Sequence, residues 1–105
     1  MYKVNSFGKE YEVSVKPCKY VDGGLAIAMD YLDDEFGCML PFARLTVNLG
    51  RQNNGYAYVD TNNCPWAEDF IKENGLGEFT GKICRSGFCE YPLYKFNMEK
   101  IGDVR

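Results

Sequence analysis

Residues 56–76 read YAYVDTNNCPWAEDFIKENGL, and this stretch decides the fold because a strand pattern runs directly into a helix with clear end signals. Aromatic and β-branched residues favour a strand at its start. Asn62 or Asn63 can then cap a helix, and Pro65 suits the first helical position. We therefore predict a strand followed by a short helix over about residues 64–74.

The predicted helix has one apolar side and a clear end. Trp66 and Phe70 recur at helical spacing, so that side is expected to pack on a sheet, with Trp66 as a core anchor. Gly75 supplies the left-handed cap that commonly ends helices, and Leu76 supplies the apolar contact that accompanies it. A helix of this length is marginal alone, so packing must stabilise it.

The segments on both sides of this stretch have strand patterns. Residues 1–7 and 11–16 predict a β-hairpin with a turn over 8–10, and Pro17 is expected to end the second strand because it has no N–H for the ladder. Further strands are predicted at 25–31, 41–49, 82–84, 88–91 and 92–97. In 41–49, Ala43, Leu45, Val47 and Leu49 alternate onto one face.

These elements predict an α+β fold: a mainly antiparallel sheet of about five to seven strands with one short helix packed on one face. The chain has 105 residues, which is the length of one domain, so we expect a single domain over 1–105. Residues 98–105 are expected to form a tail that can be disordered, as chain ends often are.

Composition narrows the classes of partner. The net charge is -3 and the cations are spread along the chain, which disfavours nucleic-acid binding. The chain lacks an apolar run long enough to span a membrane and an N-terminal signal-peptide pattern, so a cytoplasmic protein is expected. Five cysteines at irregular spacing fit free thiols better than disulfides.

The sequence has no catalytic, metal or cofactor signature. It contains no histidine, which removes the commonest general base and metal ligand. Cys84 and Cys89 form one close cysteine pair, whereas a structural zinc site usually needs more ligands. The acidic run at 33–35 lacks the spacing of a calcium loop, so a solvated turn is favoured. We predict no metal and no cofactor.

The junction between strand and helix is the most ligand-like feature. Asp60, Asn62 and Asn63 lie there beside Trp66, and helix-start amides can hold an anion. Arg85 and Ser86, from a later turn, are candidates to complete such a site. A structural role for the same residues is the favoured interpretation. Cys64 lies near the helix start, where a dipole can activate a thiol, but a buried apolar role is favoured for it as well.

Several motifs resemble an uncharacterised family of bacterial proteins of roughly one hundred residues, a domain-of-unknown-function family associated with conjugative elements, plasmids and phages. The motifs are Ala43-x-x-Thr46-Val47-Asn48-Leu49, Val59-Asp60-Thr61-Asn62-Asn63-x-Pro65-Trp66, Glu73-Asn74-Gly75-Leu76-Gly77 and Arg85-Ser86-Gly87-Phe88-Cys89-x-Tyr91-Pro92-Leu93-Tyr94. The resemblance covers about residues 11–96 and implies a mobile-element setting, in which small proteins interfere with host defence. It brings no catalytic residues.

Three functions follow as hypotheses. The leading one is a non-enzymatic interaction protein that binds a partner protein, such as a host defence factor, through an aromatic or sheet-edge surface. A free sheet edge also allows a homodimer formed by strand pairing. The alternative is a protein that binds or sequesters a nucleotide-like anion near Asn62, Asn63 and Arg85. The third is an enzyme that uses Cys64 or Asp60.

Overall fold

The computed structural model describes residues 1–102, which form eight strands and two short helices. In chain order they are β1 (Tyr2–Ser6), β2 (Lys9–Lys19), β3 (Leu25–Asp33), β4 (Cys38–Arg44), β5 (Thr46–Val47), β6 (Tyr56–Val59), α1 (Ala67–Asn74), β7 (Gly77–Ser86), β8 (Cys89–Phe96) and α2 (Met98–Ile101). The strands pair antiparallel in two sheets, the first in the order β1-β2-β3-β4 and the second in the order β5-β6-β8-β7. The predicted mainly antiparallel α+β class is confirmed.

Leu45 is the residue at which the chain passes from the first sheet to the second. The single strand predicted over 41–49 is divided there into β4 and β5, whereas the two strands predicted at 88–91 and 92–97 form the single strand β8. The Leu45 N–H donates to the Ile27 carbonyl of the first sheet, and its carbonyl accepts from the Asp60 N–H beside the second, both at 2.9 Å. Leu45 and Thr46 are both buried, which simple alternation along one strand does not allow.

The predicted β1–β2 hairpin is present, but β2 continues beyond Pro17 to Lys19, contrary to prediction. The register explains this difference. Tyr2, the first residue of β1, pairs with Val13, so among residues 1–102 no strand pairs with β2 on that side from Ser14 onward. Pro17 pairs with Ile27 of β3 on the other side. The missing proline N–H therefore faces an open edge, where proline removes no ladder hydrogen bond.

Helix α1 begins at Ala67, a few residues later than predicted, and ends as predicted. Its N-cap residue is Trp66, which makes no capping side-chain hydrogen bond, so the expected caps at Asn62 or Asn63 and the helix start at Pro65 were wrong. Gly75 at the C-terminus has φ 63°, and the Leu76 N–H donates to the Ile71 carbonyl at 3.0 Å. This is the glycine-capped ending that the sequence predicted.

The core lies between the two sheets and α1. The helix contributes Phe70 and Ile71, which are buried in one cluster with side chains of both sheets. The other large, fully buried side chains are Val13, Ile27, Met29, Leu45, Thr46, Val59 and Leu76. Trp66 is only partly buried against this cluster, so its role as a core anchor is smaller than predicted.

Residues 98–101 form helix α2 in place of the tail expected from residue 98 onward. The Asn97 side chain accepts a hydrogen bond from the Lys100 N–H at 3.4 Å, which caps the helix start. Ile101 is buried in the core, which holds this segment against the sheets. Residues 103–105, the remainder of the predicted tail, lie outside the described part of the chain.

Candidate functional site: an aromatic groove

A row of aromatic rings leads from the surface into the core. Tyr11 and Tyr31 come from neighbouring strands of the first sheet, with ring centroids 5.5 Å apart. Phe42 of β4 lies 4.9 Å from Tyr11 and 5.6 Å from Trp66, which precedes α1. Trp66 meets the buried Phe70 at 5.9 Å with perpendicular rings. Edge-to-face packing of this kind stabilises aromatic pairs beyond the area that they bury.

A β-bulge accounts for the position of Phe42. Met29 of β3 pairs with Ala43, and Asp30 pairs with Pro41, so Phe42 is an extra residue without a direct partner. Bulges re-aim side chains, and they recur beside functional sites. The bulge therefore places Phe42 between the sheet rings and Trp66.

These rings line an open groove of about 320 Å³. We call this cavity the aromatic groove and define it by six of the residues that line it: Phe7, Tyr11, Tyr31, Phe42, Asn63 and Trp66. Apart from Asn63, these are aromatic side chains, and Tyr11, Tyr31, Phe42 and Trp66 are only partly buried. The groove is thus an open recess with aromatic walls and some polar lining, including Ser6 and Asn63, and it remains accessible to a ligand.

Phe7 at the rim of the groove occupies an unfavourable backbone conformation. It is fully exposed, with φ 52°, and it forms with Gly8, φ 79°, a two-residue turn between the paired Ser6 and Lys9. The predicted turn at 8–10 was therefore wrong, because Lys9 and Glu10 already belong to β2. Asn-Gly suits a turn with two positive φ angles, whereas a bulky residue in the first position is strained. Neither burial nor turn geometry explains why Phe7 is there.

The six predicted site residues lie in two places: four lie in or next to the loop that follows β6, and two lie at the end of β7. Asn63 and Trp66 line the aromatic groove. Asp60 is buried beneath the loop, and its carboxylate accepts from the Asn63 backbone N–H at 3.1 Å and from the side-chain amide at 2.8 Å. Asp60 therefore fixes the orientation of Asn63. Asn62 is exposed and does not line the groove.

Arg85 and Ser86 lie elsewhere. They are at the end of β7, paired with Glu90 and Cys89 of β8. Because β8 lies between β7 and β6, a strand separates these residues from the loop that follows β6. They do not line the aromatic groove, so the six candidate residues do not form one site.

Cys64 has the properties of a core residue. It is buried, and its thiol donates to the Arg44 carbonyl at 3.6 Å. Burial, followed by the nearby Asp60 carboxylate, raises the pKa of Cys64 to about 11. The thiol therefore stays protonated at neutral pH, whereas a nucleophilic cysteine needs a lowered pKa.

We expect the raised pKa of Cys64 to make stability fall in alkali. The unfolded thiol loses its proton near pH 9 and the folded thiol only near 11. The stabilisation is therefore complete below pH 9 and is lost as the pH rises to 11. The loss should be about 2–3 kcal/mol. Urea denaturation from pH 7 to 11 measures it.

The matched control for this prediction is Cys64→Ala, which removes the titrating thiol. Its free energy of unfolding should fall less over the same pH range. Burial also raises the pKa of Tyr94, whose hydroxyl donates to Glu68, but both proteins share that effect. Parallel pH curves for the two proteins would show that Cys64 titrates normally in the fold.

Four groove residues were missed as site candidates: Phe7, Tyr11, Tyr31 and Phe42. The alternation in residues 11–16 predicted that Tyr11 shares a face with Val13. The alternation did not indicate that the Val13 side chain would be buried and the Tyr11 side chain only partly buried. Tyr31 and Phe42 join Tyr11 through strand pairing and a bulge, which the sequence pattern does not reveal.

Within residues 1–102, no group of three or more histidine, cysteine, aspartate or glutamate side chains is arranged to hold a metal ion. The helices in the same range are all too short or too polar to cross a bilayer.

Comparison with known proteins gives a family but no characterised relative. No curated protein and no solved structure matches the chain. The family described as Domain of unknown function (DUF4313) matches residues 14–104, which is most of the sequence and includes every groove residue except Phe7 and Tyr11. The chain therefore belongs to the DUF4313 family.

Proposed function

We propose that this protein is a non-enzymatic interaction protein that holds a segment of a partner protein in the aromatic groove. The observation that carries the proposal is Phe7, a fully exposed ring in a strained turn at the groove rim. Strained residues persist where function requires them. An asparagine at this position would relieve the strain and remove the apolar exposure, so a contact with a partner is the remaining reason for a ring.

The residue types of the groove suit a protein partner. Tyrosine, tryptophan and phenylalanine are enriched at the centres of protein interfaces, because they offer large contact areas with few rotatable bonds. Tyr11, Phe42 and Trp66 already pack against one another, so little side-chain freedom is lost on binding. A volume of about 320 Å³ has room for one or two side chains of a bound segment.

The resemblance to proteins of conjugative elements, plasmids and phages supports a mobile-element setting for this protein. We propose that the chain is a cytoplasmic bacterial protein of a mobile element, and that its partner is a host factor such as a defence protein. This setting rests on the resemblance, whereas the choice of the groove rests on its geometry.

The two other hypotheses have less support. The alternative placed a nucleotide-like anion near Asn62, Asn63 and Arg85, but a strand separates Arg85 from the loop that carries the two asparagines. Carboxylates also lie beside the groove and would repel an anion. The third hypothesis was an enzyme that uses Cys64 or Asp60. It is disfavoured because burial raises the pKa of the Cys64 thiol, and because both oxygens of the Asp60 carboxylate accept hydrogen bonds from Asn63.

Phe7→Asn tests the proposal through two opposite effects. The change should raise the free energy of unfolding by about 1 kcal/mol, because asparagine tolerates positive φ. It should also lower the affinity for peptides that were selected by random-peptide display on the wild-type protein. The expected decrease is about tenfold, as for the loss of an interface anchor. Urea denaturation and calorimetry measure the two effects.

Phe88→Asn is the matched control, because Phe88 is an equally exposed phenylalanine in the turn between β7 and β8. It should leave the affinity of the same peptides unchanged. Equal losses for both variants would mean that exposed rings bind peptides non-specifically. We call a selected peptide Phe7-dependent when Phe7→Asn lowers its affinity. A selection that yields no Phe7-dependent peptide would overturn the proposed function.

A further inference from the structure

We propose that the segment bound by the aromatic groove is basic. An arginine or lysine side chain of the segment would lie over the Tyr11 and Tyr31 rings, next to acidic side chains of this protein. This inference rests on the proposed function and specifies the chemistry of the partner. It follows from the charges around one end of the groove.

A second cavity of about 610 Å³ adjoins the aromatic groove and shares Tyr11 and Tyr31 with it. Five carboxylates line this acidic cavity together with one cation, Lys9. They are Glu10, Glu12, Asp33, Asp34 and Glu35. A ligand that extends from the aromatic groove past the two tyrosines therefore enters a region of negative charge, which favours a cationic ligand.

Three of these carboxylates have no side-chain partner among residues 1–102. Glu10 pairs with Lys3 at 3.6 Å, and Asp33 accepts the Glu35 N–H at 2.9 Å within the β3–β4 turn. Within the described chain, the side chains of Glu12, Asp34 and Glu35 are exposed and make no ion pair or hydrogen bond.

The Tyr11 ring already holds a cation. The Lys9 ammonium lies over it, 5.1 Å from the ring centroid. A tyrosine face attracts cations through its quadrupole, and a guanidinium stacks there better than an ammonium. Lys9 is the exposed first residue of β2, so an incoming arginine can replace its side chain on the ring. The structure thus presents both components of a cation-binding surface, an aromatic face and nearby carboxylates.

Trp66 provides the assay, because it is the only tryptophan of the chain and lines the groove. The probes are a capped tetra-arginine peptide and the same peptide with citrulline, which is neutral and nearly isosteric. Tetra-arginine should change Trp66 fluorescence with saturation and bind at least about fivefold more tightly than tetra-citrulline. Equal binding of the two peptides would overturn the inference.

Substitutions of charged residues test whether tetra-arginine binds at the acidic cavity. Glu12→Gln with Glu35→Gln should weaken tetra-arginine binding about threefold to tenfold. The matched control, Glu73→Gln with Glu99→Gln, removes the same charge from α1 and α2 and should have less than a twofold effect. Lys9→Gln should strengthen binding about twofold to fivefold, because it removes the competing cation. Equal weakening by both glutamine pairs would mean that only net charge attracts the peptide, and would overturn the inference.

The selected display peptides separate this inference from the proposed function. Phe7-dependent peptides enriched in arginine or lysine support both. Phe7-dependent peptides without basic residues overturn the basic partner and leave the groove as a protein-binding site. A selection that yields no Phe7-dependent peptide overturns both.

Discussion

Leu45→Ala should lower the free energy of unfolding by about 3–5 kcal/mol, the largest effect that we expect from a single substitution. The side chain is fully buried, and its backbone hydrogen bonds to Ile27 and Asp60 join the two sheets. The change would leave a cavity where the sheets meet, and neither sheet can move to fill it without breaking one of these bonds. Urea denaturation followed by circular dichroism measures the loss.

Leu49→Ala is the matched control for this prediction. Leu49 has the same chemistry and lies on the same face of the predicted strand over 41–49, but it is only partly buried. We expect a loss of about 1 kcal/mol, in proportion to the smaller area removed from water. If the two variants lost the same stability, Leu45 would not be the structural link between the sheets.

Trp66→Ala should affect both stability and binding. Because the ring is only partly buried, we expect a loss of about 2 kcal/mol, below the 3–5 kcal/mol typical of a fully buried aromatic side chain. Its ring contacts Phe42 on the groove side and Phe70 on the core side. Without it the groove loses one wall, and the affinity for a Phe7-dependent peptide should fall more than tenfold, as at an interface hot spot.

Trp66→Phe is the control, because it keeps an aromatic ring between Phe42 and Phe70. It should recover most of the stability and a part of the affinity. Circular dichroism at the temperature of the binding assay establishes that each variant is folded. Unchanged peptide affinity in folded Trp66→Ala would place the binding surface outside the groove.

The elements with strong local patterns were predictable from the sequence. Alternation identified β2, an apolar run between two turn signals identified β3, and Gly75 with Leu76 identified the end of α1, because these features depend on neighbouring residues alone. The start of α1 was misplaced since Asp60 folds the preceding loop: its carboxylate accepts from the Asn63 N–H at 3.1 Å, and its carbonyl from the Cys64 N–H at 2.9 Å. That turn competes with helix formation.

The division into two sheets and the groove itself were not predictable, because both depend on contacts between distant residues. The pattern around Leu45 continues unbroken from β4 to β5, while its hydrogen bonds change from one sheet to the other. Trp66 was a candidate from local sequence, yet its groove neighbours Tyr11 and Phe42 are brought to it by strand pairing. Sequence reasoning therefore found one wall of the groove and missed the opposite one.

Photocross-linking from position 7 tests most directly whether the aromatic groove binds a partner protein. Benzoylphenylalanine in place of Phe7 keeps an exposed aromatic ring at the groove rim, and the same residue in place of Phe88 serves as the control. In bacterial cells that express the protein, we predict that one protein cross-links from position 7 and not from position 88, and that additional Trp66→Ala abolishes the product. The same cross-links from both positions, or none from position 7, would contradict binding through the groove.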